Sequence, residues 1–309
     1  MIDVRPMTSD DIDVIVARVM QQQARVANSH EFINGAIDDV TLAESLYSSL
    51  RDTCVAERDG IVVGHLRGVI LPSEVYGRSA WMNPDGLSYD DVETLEALYV
   101  HQAQRWIADG ARRHYVWVPT DSASIAPWLH LGFSYMHQRG VRLLEGISTP
   151  EWPAGYSLRR GTIADLETAI VLDDLLHEFQ EQGPSFSLDL PKGDQRDDWT
   201  ETLEDPTVRH YIVDCAGQPV AQCVTFPLPD RVGSFDGTLH LSAVTVREDH
   251  RRHGVGRAMV SQALGDGRRD GFRAVETNWR VTNRSAATYW QNYGFVPTYL
   301  RLHRAIGVG

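Results

Sequence analysis

Cysteine is scarce. The three in 309 residues, Cys54, Cys215 and Cys223, are too few and too scattered for a disulfide framework or a zinc site. Cys215 and Cys223 fall on neighbouring predicted strands and read as packed thiols. No stretch approaches the ~18 consecutive apolar residues of a membrane helix, and no charged-then-apolar segment opens the sequence. Neither a membrane span nor a signal peptide is expected, and the expected location is cytoplasmic. Basic residues are outnumbered, 29 Lys and Arg against 42 Asp and Glu, so the net charge of −13 argues against nucleic acid or an anionic membrane as partner and suits a cationic amine. His101, His114, His130 and His137 are spread over separate predicted elements with no i,i+4 pair and no cysteine nearby, so no metal site is expected. A hydrophobic content of 42% over this length is enough for two ordinary cores.

Against these absences stands one dense motif, V-R-E-D-H-R-R-H-G-V-G, at 246–256. An apolar strand, 239–246, runs into a charged turn with the pattern Arg-x-x-Gly-x-Gly (Arg251, Gly254, Gly256), and a helix-prone segment, 257–269, follows at once. Glycines let backbone approach a ligand with no Cβ in the way, and a new helix points unpaired N–H groups into the turn. Arg247, Arg251, Arg252 and Arg257 add positive charge, so the expected occupant is a phosphate group, best a pyrophosphate. A further strand follows (Ala274, Val275, Thr277, Trp279, Val281), ending at Asn283. Then comes A-A-T-Y-W-Q-N-Y-G-F, a short helix stopped by Gly294 with Phe295 turning back toward the core.

Over 156–306 this order of strand, Gly-turn, helix, strand, Asn, helix and Gly-Phe resembles the GNAT superfamily of acyl-CoA-dependent N-acetyltransferases. The resemblance implies that the turn binds the coenzyme A pyrophosphate, that the preceding strand pairs with the pantetheine arm through its backbone, and that the Asn and the following helix flank that arm. It implies cofactor contacts at Val244, Val246, Arg251, Arg252, Gly254, Val255, Gly256, Arg257 and Asn283.

The first half repeats this layout. The segment 4–8 with the amphipathic 10–20 mirrors 158–162 with 165–179; 53–64 mirrors 210–221 about turns at Gly60 and Gly217; and Trp128-Leu-His-Leu-Gly-Phe mirrors Trp290-Gln-Asn-Tyr-Gly-Phe. The copies lie about 154 to 162 positions apart, an internal duplication. The expected fold class is therefore α/β (α+β), with two tandem GNAT-like domains, each a mixed, mostly antiparallel sheet flanked by helices. The expected boundaries are 1–148 and 155–309, separated by the Pro- and Gly-bearing stretch 148–155. Where the phosphate turn should stand, the first copy reads W-M-N-P-D-G-L-S-Y-D-D, with no Arg or Lys and with Asp85, Asp90 and Asp91. Carboxylates repel a pyrophosphate, and 88–91 suit the cap of a helix over 92–106. The first copy is expected to be a degenerate domain that does not bind coenzyme A and that shapes the acceptor cleft of the second.

Acetylating an amine by direct attack requires a base, because an alkylamine with a pKa near ~10 is mostly protonated at neutral pH. His240 is the candidate. It lies on the strand before the turn, on an expected shared face with Ser242, Val244 and Val246, and several members of the superfamily, serotonin N-acetyltransferase among them, carry a His or Glu at this place. The other reading of His240 is a strand histidine satisfied by a backbone carbonyl. An N–H freed where the strand splays from its neighbour would stabilise the oxyanion, and the resemblance assigns it to Val244. Many members protonate the thiolate with a tyrosine four residues before the Gly-Phe pair. Here that position is Trp290, and Tyr289 precedes it, turned by about 100° on a helix. Tyr289 is thus either the acid or a packing aromatic beside the arm, in which case the thiolate departs unaided.

Asp173, Asp174, Glu178 and Glu181 read as the solvated face of an amphipathic helix, or as a lure for a cationic acceptor. The stretch 181–198 reads as a long loop over the cleft. The expected activity is acetyl-CoA-dependent N-acetylation of a primary amine on a small molecule, in a ternary complex and without a metal. A mycothiol synthase-like tandem enzyme and a non-catalytic acyl-CoA-binding regulator are the alternatives.

Overall fold

A computed structural model describes residues 1–29, 37–72, 77–187 and 195–307. The chain forms two compact units that do not follow the stretch at 148–155. The first comprises Met1–Arg139, Asp230–Phe235 and Pro297–Gly309, and the second Gly140–Pro229 and Asp236–Val296.

In the first unit the order is β1 (Ile2–Pro6), α1 (Ile12–Ser29), α2 (Asp39–Ser48), β2 (Thr53–Arg58), β3 (Ile61–Arg67), β4 (Val69–Leu71), β5 (Ser79–Met82), β6 (Leu87–Tyr89), α3 (Val92–Ala108), β7 (Arg113–Pro119), α4 (Ser122–His130) and the start of β8 (Ser134–Leu143). Strands β1, β2, β3 and β6 pair antiparallel in that order, and β5 pairs antiparallel with β4 and parallel with β7. In the second unit β9 (Tyr156–Arg160), α5 (Leu166–Glu181), α6 (Arg196–Glu204), β10 (Arg209–Cys215), β11 (Gln218–Pro227), β12 (Thr238–Val246), α7 (Val255–Arg269), β13 (Ala274–Arg280) and α8 (Arg284–Asn292) follow. Strands β9 to β12 form an antiparallel run, and β13 joins β12 in parallel. The final strand, β14 (Val296–Ala305), pairs antiparallel with β7 along Tyr299–Ala305, which is why the chain's last residues fall in the first unit.

The duplication read from the sequence recurs bond for bond. Thr8 with Asp11, and Thr162 with Asp165, close matching capping boxes ahead of α1 and α5. Arg5 reaches Asp11 at 2.7 Å and also pairs with Glu57 on β2; Arg159 reaches Asp165 at 2.9 Å and Asp214 on β10 at 2.7 Å. Both first hairpins turn through two residues at positive φ, Asp59-Gly60 and Ala216-Gly217, the geometry whose twist matches the flanking strands. After α4 and α8, Gly132 and Gly294 take positive φ, and the Phe133 and Phe295 N–H groups donate to the carbonyls of Trp128 and Trp290, each at 3.0 Å.

The core of the second unit lies between the sheet and α7, where Leu239, Leu241, Met259, Val260, Leu264, Val275, Trp279 and Trp290 are buried. On the opposite face α5 and α6 cover Val224 and Phe226 with Ala169, Ile170 and Trp199. Cys223 is buried in the first of these layers and Cys215 is half-buried beside it, as packed thiols; burial drives the Cys223 thiol pKa up.

Candidate active site

The site is built on an irregularity in β12. Its register against β11 pairs Ser242 with Val224 and Thr245 with Gln222, so Ala243 and Val244 together oppose Cys223, and Ala243 takes φ +49°. This is a β-bulge. One extra residue inverts the alternation of everything beyond it. Leu239 and Leu241 before the bulge, and Val244 and Val246 after it, all pack toward α7, whereas His240 lies beside Phe226 on the face covered by α5 and α6. The expected common face for His240, Ser242, Val244 and Val246 is therefore incorrect: strict period-2 counting fails across the bulge.

The parallel pairing of β12 with β13 covers Thr238–Ala274, Leu239–Val275 and His240–Glu276, and the ladder ends there. Just beyond, the Thr277 hydroxyl donates to the Leu241 carbonyl at 2.8 Å, a side chain taking the place of a ladder bond as the strands part. Residues 242–246 thus line an opening on one side of β12, and Val244 stands in it at the bulge.

At the end of β12 the chain turns through a short 3-10 segment, Glu248–His250, and enters α7 with Gly254 as N-cap at φ +82°. The first bond within α7 is donated by Ala258 N–H to the Gly254 carbonyl, leaving the amides of Val255, Gly256 and Arg257 directed out of the helix end. Gly256 packs closely against the strand, since a Cβ there would lie 3.2 Å from Val246 Cγ2 and would need that side chain to give way. Arg251 is held in place, its Nε donating to the Val246 carbonyl at 3.0 Å and its guanidinium lying 5.2 Å from the Phe179 ring. Arg252, at φ +64°, is exposed, as is Arg257, whose guanidinium lies 5.8 Å from the Tyr293 ring. Arg247 approaches Asp249 at 4.0 Å, which offsets part of its charge. Free amides, a glycine packed against the strand and three arginines fit an anionic group of pyrophosphate size. Asn283 caps α8, its side-chain oxygen accepting from Ala286 N–H at 3.0 Å, so only its amide nitrogen is left to donate elsewhere.

His240 is half-buried, with Nδ1 enclosed, lacking a hydrogen bond, and 3.6 Å from Glu276 Oε1; Phe226 packs at 5.0 Å from its ring. Tyr289 keeps its hydroxyl buried without a partner, its ring stacked on Tyr293 at 5.9 Å and edge-on to Trp290 at 4.8 Å. Burial pushes the Tyr289 pKa up, so the phenol holds its proton. Trp290 itself turns into the core.

The acidic helix departs from expectation. Asp173 is half-buried, accepts the Trp199 indole N–H at 3.1 Å, and has its carboxyl pKa raised by burial. The solvated-face reading fails there, because the stripe that begins with Leu166, Ala169 and Ile170 faces the sheet and carries Asp173 with it. Helices α5 and α6 also extend into the expected loop at both ends, and residues 188–194 of it lie outside the described residues.

In the first unit the corresponding turn contains no cradle. Asp91 caps α3, accepting from Thr94 N–H at 2.8 Å, and the three aspartates are engaged by arginines: Asp85 by Arg67, Asp90 by Arg18 at 2.6 Å and Asp91 by Arg58 at 2.9 Å. His114 is committed to the Tyr99 hydroxyl and the Ala111 carbonyl, and His137 to Arg301.

Sequence reasoning passed over Glu276, Phe226 and the bulge. The first had a signal, being the lone carboxylate of the buried strand A-V-E-T-N-W-R. The bulge had none, because alanine carries no mark of positive φ.

Residues 172–295 match the model of the acetyltransferase (GNAT) family. Solved structures extend the likeness to the whole chain. A GCN5-related N-acetyltransferase from Sphaerobacter thermophilus shares 15% identity at a TM-score of 0.62, covering 98% of this chain and 95% of that one. A tandem GNAT protein from the clavulanic acid biosynthesis pathway shares 18% at 0.58, covering both chains completely. A GCN5-related N-acetyltransferase from Kribbella flavida shares 12% at 0.52, covering 87% and 95%. At such identities the likeness is one of fold, that of a tandem GNAT protein. No curated protein matches the sequence. Among the described residues no helix is long and apolar enough to cross a membrane.

Proposed function

We propose that the chain is an acetyl-CoA-dependent N-acetyltransferase acting on a primary amine of a small molecule, with 155–309 catalytic and 1–148 a degenerate copy. The carrying observation is the alignment, on one strand, of a bulge at Ala243, an open edge at 242–246 and the amide-and-arginine turn at 251–257. When bound, acetyl-CoA supplies an acyl group activated as a thioester. The amides of Val255, Gly256 and Arg257, with Arg251 and Arg252, hold its pyrophosphate, while Val244, Val246 and Asn283 flank the arm. His240 accepts a proton from the ammonium, freeing the nitrogen lone pair to attack the acyl carbon. The Val244 N–H donates to the oxygen that gains charge. Tyr289 gives its proton to the sulfur as the carbon–sulfur bond breaks, and the second proton that the nitrogen sheds as the amide forms restores the phenol.

A second reading, an acyl-CoA-binding regulator without turnover, draws on Trp290, which fills the core where many family members carry a catalytic tyrosine. Titration calorimetry of acetyl-CoA into the intact chain, followed by a thiol-release assay with a panel of amines, separates the two. One site per chain with amine-dependent thiol release is expected. Binding with no release from any amine favours the regulator, two sites overturn the degenerate first copy, and no binding overturns both readings.

A further inference from the structure

His240 and Glu276 form the final register pair before β12 and β13 part. Partners in a parallel ladder project to one side of the sheet, so the two side chains meet at the closed end of the opening. Glu276 is 2% exposed on a strand that is otherwise almost wholly apolar or neutral. Its Oε1 lies 3.6 Å from His240 Nδ1, beyond hydrogen-bond length but within ion-pair range, and Nδ1 has no bond of its own. Phe226, directly opposite His240 on β11, limits the ring's excursions from the other side. A small rotation of the imidazole closes the gap, and such contacts are commonly long before substrate binds.

We infer that Glu276 is the positioning residue of His240. It accepts the Nδ1–H bond, which fixes the tautomer in which Nε2 carries the lone pair, and it stays ionised to balance the imidazolium formed when Nε2 takes the proton from the ammonium. One proton moves from substrate nitrogen to Nε2, and Glu276 exchanges none. The catalytic consequence rests on the acyltransferase reading above; the pairing itself does not.

The two are separated by nitrogen NMR of the full-length chain, histidine-labelled, with His240 assigned by the signals lost in His240→Asn. The expected result is His240 in the Nδ1–H form when neutral, converting toward the Nε2–H form in Glu276→Gln, whose amide donates where the carboxylate accepted. In turnover, Glu276→Gln is expected to lower kcat by roughly 10- to 100-fold with KM little changed, and Glu276→Asp to recover part of the loss. A wild-type His240 in the Nε2–H form, or a tautomer indifferent to Glu276→Gln, overturns the inference. Should Glu276→Gln fail to fold, the wild-type tautomer alone decides. A preparation that releases no thiol from any amine would remove the acyltransferase reading and leave the NMR result standing.

Discussion

At the residue scale the site depends on a few groups whose surroundings set their chemistry. His240→Ala is expected to reduce kcat at pH 7 by about 100-fold, with partial recovery in alkaline buffer where free amine becomes abundant. Full activity at pH 7 would return His240 to a strand-packing role. Tyr289→Phe removes a hydroxyl that has no hydrogen bond to lose, so denaturant stability should be unchanged or slightly raised. If the phenol protonates the thiolate, kcat falls in the same variant; unaltered turnover would mean that the sulfur leaves unaided. His240 and the arginines were singled out in the sequence by their place before and within the Gly-turn, and Tyr289 only as the neighbour of Trp290, which holds the expected tyrosine position. Glu276 was not singled out, since its partner lies on another strand and only register joins the two.

At the scale of elements, β12 with its bulge and α7 with its N-terminal turn do most of the positioning. A β-branched or larger residue at 256 must displace Val246, and any L-residue at 254 must adopt φ near +82°. Gly256→Val is therefore expected to abolish coenzyme A binding in calorimetry while leaving far-ultraviolet circular dichroism essentially intact. Unchanged affinity would remove the phosphate cradle. Asn283→Ala should destabilise the second unit by about 1 kcal/mol through loss of the α8 cap, read as a shift in urea midpoint without change in slope. Helices and turns could be read in advance because they are local, as the Gly-Phe stop after α8 shows, whereas the Thr-x-x-Asp capping boxes were passed over. The bulge could not, because a strand acquires an extra residue only through mismatch with its neighbour.

At the scale of the whole molecule, the first unit buries neutral histidines. His65 is fully enclosed between the Ser88 hydroxyl, 2.7 Å from Nδ1, and the Asp85 carbonyl, 3.2 Å from Nε2, and burial depresses its pKa to about 3; burial likewise lowers His114 to about 4. The unfolded chain protonates these rings below about pH 6.5 while the native state does not, so stability is complete above that value and falls as pH drops toward 4 and then 3. Asp11, held to about 2 by Arg5, adds a loss only below about pH 4. The urea midpoint is thus expected to fall between pH 7.5 and 5, and His65→Gln to flatten that slope. A midpoint independent of pH over this range would contradict the burial of neutral His65.

By itself the sequence determined the duplication, the glycine-and-arginine turn in one copy and its absence from the other, because these rest on contiguous residues whose conformational and charge preferences act locally. Only the tertiary structure decided that the last strand pairs with β7, that the bulge at Ala243 sends His240 and Val244 to opposite faces, and that Glu276 meets His240. Strand partner and register are chosen by the burial of whole faces and the closing of long loops, free energies shared among distant residues, and no short motif records them.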